Sequence, residues 1–225
     1  MNGFGRFYGT ALGKKVVVAV TGLIMVGFLI AHMLGNLLVH EGRGTTPETT
    51  KMNEYAELLR VEPMLLWGLR LVLLAAVLVH IVTTIKLTAQ NRRARGTAYA
   101  VKKNRAATLA SRTMAAGGIL VAAFVVYHIL HLTVGKVHTG LFTHGDVYDT
   151  VIRSFQNPVI TLVYLAAVIV VFFHLKHGIV SMCETLGVSH PKYLRLVRVA
   201  GPVLAGVLLL GFASVPLAVT FGLVK

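Results

Sequence analysis

The chain has 225 residues, 56% of them hydrophobic, with a mean hydropathy of +0.74 and a formal charge of +14. That apolar balance excludes an ordinary soluble domain and describes a polytopic membrane protein. The basic excess does not point to nucleic acid, because it is confined to alternate links between apolar stretches, where charge orients membrane spans.

A span needs about 20 mainly apolar residues. Five stretches qualify, roughly 16–40, 63–88, 111–134, 158–181 and 199–222. The predicted fold is therefore all-α, a bundle of five transmembrane helices forming one domain over residues 1–225. The short links leave no room for a soluble catalytic domain.

In chain order, residues 1–15 read as an interfacial entry carrying Phe4, Phe7 and Tyr8, with Lys14 and Lys15 just before the first span. No convincing cleavage site follows the apolar run, so the first span reads as a retained anchor. It contains Gly22, Gly27 and Gly35, small residues that let helices or a flat cofactor approach closely, and it contains His32. The first loop is acidic, with Glu41, Glu48, Glu54, Glu57 and Glu62. It holds a short amphipathic segment, with Thr46 as a cap, Pro47 in its first turn, and Met52, Tyr55, Leu58 and Leu59 on one face.

Span two carries His80. The link after it is basic, with Arg92, Arg93, Arg95, Lys102, Lys103, Arg105 and Arg112. Span three has Gly117 and Gly118 early, then His128 and His131. The third loop, 135–157, has Asp146 and Asp149 and a second amphipathic segment through Val147, Tyr148, Val151, Ile152 and Phe155. Asn157-Pro158 opens span four, which carries His174, His177 and, near its end, Cys183. A single cysteine allows no internal disulfide, and it reads as packing. Lys192, Arg195 and Arg198 fill the link to span five. Basic links alternating with acidic ones put the N-terminus in the cytoplasm and the C-terminus outside.

Four of the ten histidines, His32, His80, His128 and His174, thus sit deep in four different spans. Ionisable groups at that depth are costly and usually functional. At 1.5 Å per residue, His32 lies about 24 Å above the inner start of span one, and His128 about 17 residues past Ser111 on the parallel span three. His80 and His174 lie about 17 and 16 residues down the reverse-running spans two and four. The histidines therefore form an outer pair, His32 and His128, and an inner pair, His80 and His174. The levels are roughly 12–15 Å apart by the same rise. Two facing imidazoles are the axial ligand set of an electron-carrying haem that has no open site for oxygen. Each ligand must be neutral and held in one tautomer by a bond to its other nitrogen, and inside a helix bundle the carbonyl one helical turn earlier can supply that bond. His131 and His177 each lie three residues beyond a member of these pairs, hence on about the same helix face. Either is an alternative ligand, or a contact for a haem propionate or quinone. His40, His138, His144 and His190 fall at span ends or in loops.

The pattern resembles the single-chain, five-span dihaem cytochrome b anchor of succinate:quinone oxidoreductases. The resemblance rests on His32-Met-Leu-Gly-Asn36, on His80 followed by Asn91-Arg-Arg-Ala-Arg95, and on Tyr127-His128-Ile-Leu-His-Leu-Thr133-Val-Gly135. Its strongest part is Phe173-His174-Leu-Lys-His-Gly178-Ile-Val-Ser181, running on to Thr185-Leu-Gly187. The resemblance favours His174 over His177 and His128 over His131. It implies two haem b groups, a quinone substrate (menaquinone in many two-haem members), and the cytoplasmic membrane of a bacterial-type cell. It also implies two partners absent from this chain, a flavoprotein with FAD that oxidises succinate and an iron–sulfur subunit. Some dihaem members carry a transmembrane glutamate of a proton path two residues before the span-four ligand; here that position is Phe172. Candidates for quinone contact are Glu54, Glu57 and Glu62 on the outer side, and His177, Ser181 and Arg112 on the inner side.

Other readings predict different patterns. Fumarate reductase anchors share the architecture. Cytochromes b of nitrate reductases and hydrogenases take several ligands from the same helices. A haem-free anchor leaves the matched depths unexplained. A histidine-lined transporter would place carboxylates beside the histidines. The span cores here contain no Asp or Glu, with Glu184 at an inner end. No Walker loop, dinucleotide fingerprint or zinc-protease motif is present.

Overall fold

Each of the five apolar stretches forms one long helix in the computed structural model, which describes residues 3–42, 50–94 and 109–225. A short α1 (Gly3–Gly9) leads into α2 (Ala11–Leu37), which tightens into a 3₁₀ turn at Leu38–Glu41. Next come α3 (Lys51–Leu58), α4 (Pro63–Arg93) and α5 (Leu109–His128), the last widening into a π turn at Ile129–Thr133. After these follow α6 (Val147–Phe155), α7 (Pro158–Thr185) and α8 (Pro191–Thr220). The helix starts follow local chemistry. The Thr10 hydroxyl accepts from the Gly13 amide, and the Asn157 side chain accepts from the Val159 amide. Proline occupies the first turn of α4, α7 and α8, where its missing N–H costs nothing.

The helices run beyond the predicted spans. In particular, α8 begins at Pro191, so Lys192, Arg195 and Arg198 occupy its first two turns rather than a link. His190 caps that start, its Nδ1 accepting from the Lys192 amide. The first-loop helix starts at Lys51 with Thr50 as its cap; the predicted cap at Thr46 and Pro47 lies outside the described residues. So do Glu48, Arg95, Lys102, Lys103 and Arg105, and the side chain of Arg112.

In a membrane, apolar area gives helices no reason to associate; close packing does. Here α2 and α7 are the centre, touching each other and both touching α8. Gly201 and Gly211 bring α8 in: a Cβ on Gly201 would stand 3.2 Å from Ile179 and Val180, and one on Gly211 would collide with Met33. On the other side α4 packs along α2 and α5 packs along α7. Among the described residues no comparable packing joins α4 to α7, or α5 to α2. Four helices therefore outline a frame whose diagonals are bridged only by side chains.

One end of the frame is covered by α3 and α6. The apolar stripe of α6 is buried, with Tyr148, Val151, Ile152 and Phe155 packed on Val39, Met52, Tyr164 and Val219. Both predicted amphipathic segments are thus lid helices. Asn53 ties them together, donating to the Asp146 carboxylate at 2.9 Å and accepting from the Tyr148 amide at 3.0 Å.

Candidate functional site

The four deep histidines meet in two pairs, each across one diagonal of the frame. His32 of α2 faces His128 of α5 with ring centroids 5.8 Å apart, toward the end covered by the lid. His80 of α4 faces His174 of α7 at 6.5 Å, toward the opposite end. A metal bonded at about 2 Å to one nitrogen of each ring would hold the centroids roughly 6 Å apart. Both pairs have that span, and the residues present fit a ligated iron between them.

The surroundings fit a flat macrocycle as well. Gly22 and Gly118 stand against the rings of one pair: added Cβ atoms would lie 3.8 Å from His80 Cε1 and 3.6 Å from His174 Cε1. Gly35 instead receives the Tyr55 ring of α3, and Gly117 faces Val170, so those two serve helix packing. Phe28 stacks on His32 at 5.2 Å, and Phe212 of α8 lies 5.8 Å from the same ring. Phe124 and Tyr164 flank His128 at 5.7 and 5.9 Å. Phe172 packs in the apolar cluster of α2, α7 and α8.

The carbonyl one helical turn earlier, able in principle to hold each ring, does not do so at His128 and His174, whose Nδ1 atoms are buried with no hydrogen-bond partner among the described residues. His80 Nδ1 lies 3.0 Å from the hydroxyl of Thr21, on a neighbouring helix. Thr21 carried no sequence signal, since a threonine in a span is ordinary and its partner is 59 positions away.

The two alternative histidines separate clearly. His131 is 1% exposed and engaged at both nitrogens, Nδ1 with the Tyr164 hydroxyl at 2.9 Å and Nε2 with the Ser154 hydroxyl at 3.1 Å. The π turn at Ile129–Thr133 corrects the same-face expectation: it widens the helix just after His128 and turns His131 toward α6 and α7. His177 is half-buried one turn beyond His174. Of the quinone candidates, Glu54 pairs with Lys51 at 2.7 Å, and its carboxylate holds the Lys51 ammonium above the ordinary lysine range. Glu57, Glu62 and Ser181 are exposed. His40 bonds the Ser214 hydroxyl at 2.9 Å and His138 the Tyr127 hydroxyl at 3.2 Å, both near the lid. Among the described residues, no group of three or more His, Cys, Asp or Glu is placed to hold a metal ion by itself.

The family model described as succinate dehydrogenase/fumarate reductase transmembrane subunit matches residues 89–210. No curated protein matches, and no solved structure matches. The family match takes in His128 and His174 with α5, α6 and α7, and stops short of α2 and most of α4. Covering more than half of the sequence, it establishes that the chain belongs to the succinate dehydrogenase/fumarate reductase transmembrane subunit family.

Proposed function

We propose that this anchor is a dihaem cytochrome b, a single transmembrane domain over residues 1–225. His32 and His128 would hold the iron of an outer haem, and His80 and His174 that of an inner haem. The observation that carries the reading is the pairing itself: two imidazole pairs, at 5.8 and 6.5 Å, bridge helices that, among the described residues, make no close packing comparable to that of their neighbours.

A haem held by both imidazoles of a pair would supply one-electron transfer. The chain's own part is to position and to exclude. Phe28, Phe124 and Phe212 keep water from the outer pair. Gly22 and Gly118 leave the inner pair room. His131, bonded at both nitrogens, is no ligand in this reading; it fastens the lid.

As the anchor of a succinate:quinone oxidoreductase, the chain connects an iron–sulfur partner and its flavoprotein to quinone, menaquinone being the quinone of many two-haem members. The basic start of α8, with Lys192, Arg195 and Arg198, faces the cytoplasm and the iron–sulfur partner in the proposed orientation. The cytoplasmic membrane of a bacterial-type cell is its place.

The test is a dithionite-reduced minus oxidised spectrum of the purified protein, with a pyridine haemochrome count. Two low-spin b haems per chain are expected. His32→Ala or His128→Ala should each remove one haem, and His80→Ala or His174→Ala the other. Retention of both haems in any of these variants refutes the ligand assignment.

A further inference from the structure

His80 is the member of the inner pair whose second nitrogen has a side-chain partner, and the chemistry of that partner fixes a proton. The Thr21 hydroxyl has one hydrogen and two lone pairs. It lies 2.8 Å from the Val17 carbonyl and 3.1 Å from the Val18 carbonyl, one turn back in α2. A carbonyl can only accept, so the hydroxyl hydrogen points to that helix backbone. The lone pair facing His80 Nδ1, at 3.0 Å, must then accept. The hydrogen in this contact belongs to the imidazole. Thr21 is buried at 8% exposure, so no solvent competes for the contact.

We propose that Thr21 is a positioning residue that holds His80 as its Nδ1–H tautomer, leaving the Nε2 lone pair as the donor to the inner haem. The inference rests on the dihaem reading and deepens it by making the inner ligands unequal. His80 donates its Nδ1 hydrogen to a fixed acceptor, whereas His174 Nδ1 has none among the described residues. An acceptor on the far nitrogen raises the basicity of a metal-bound imidazole. Greater basicity favours the ferric over the ferrous state. Thr21 therefore keeps the inner haem at a lower midpoint potential than an unassisted pair would have.

The measurement is a redox titration of both haems in the complete membrane complex, for wild type, Thr21→Val and Thr21→Ser. The inner signal is the one that His174→Ala removes. Thr21→Val is expected to keep two haems by pyridine haemochrome, since valine matches threonine in size and both imidazoles of the pair remain. The inner midpoint potential should rise while the outer one stays, and Thr21→Ser should return it to wild type. Loss of the inner haem alone in Thr21→Val, with Thr21→Ser normal, supports the same assignment. Should Thr21→Val fail to assemble, Thr21→Ala makes the same comparison with a smaller side chain. An unmoved inner potential in a variant that lacks the hydroxyl overturns the inference and leaves the dihaem reading standing. Absence of haem from the wild-type complex overturns both.

Discussion

His128 and His131 show how three residues of separation can divide two roles. In a regular α-helix both would face the same neighbour. The π turn that starts at Ile129 sends His131 to Ser154 and Tyr164, while His128 faces His32. With a hydroxyl on each ring nitrogen, His131 has no lone pair to spare for iron. Replacing it by leucine strands two buried hydroxyls, and an unsatisfied buried polar group costs about 1–3 kcal/mol. His131→Leu should therefore lower the thermal midpoint in detergent while both haems remain. Loss of a haem in that variant would instead give His131 a ligand's role. The histidine types and their approximate depths were legible in the sequence. The division of labour was not, because a π turn depends on how the turn packs against α6 and α7.

At the scale of elements, the lid is joined chiefly by one side chain. Asn53 of α3 makes both a side-chain and a backbone contact with the start of α6. The apolar stripe of α6 gives that helix its own hold on the bundle, so α3 is the dependent partner. Asn53→Ala should speed amide exchange across 51–58 and leave α7 and α8 unchanged, as read by hydrogen–deuterium exchange. Unchanged protection over 51–58 would mean that Met52 and Tyr55 alone dock the helix. Both lid helices were visible as amphipathic stretches. The described first-loop helix begins at Thr50, whose hydroxyl accepts from the Asn53 amide.

For the whole molecule, the open question is direction across the membrane. Among the described residues the basic side chains Lys14, Lys86, Arg92, Arg93, Lys192, Arg195 and Arg198 lie toward the end away from the lid, the end that the proposed orientation puts in the cytoplasm. In a Cys183→Ser background, Glu57→Cys on the lid should react with an impermeant maleimide in intact cells. Ser189→Cys, before α8, should react only after permeabilisation. The reverse pattern would invert the proposed topology.

What the sequence determined by itself was what periodicity, length and charge can carry. That includes five spans, two lid helices, the alternation of basic and acidic links, and four histidines at two depths. These are properties of segments, set by hydrophobic length and helical rise, and they survive any rearrangement of neighbours. Tertiary structure decided what depends on neighbours. It selected α2 and α7 as the centre, through glycines that admit α8, and it left the diagonals of the frame to paired imidazoles. It also gave His80 a threonine instead of its own helix carbonyl. A hydrogen bond between residues 59 positions apart exists only once two helices have come together, and no local pattern announces it.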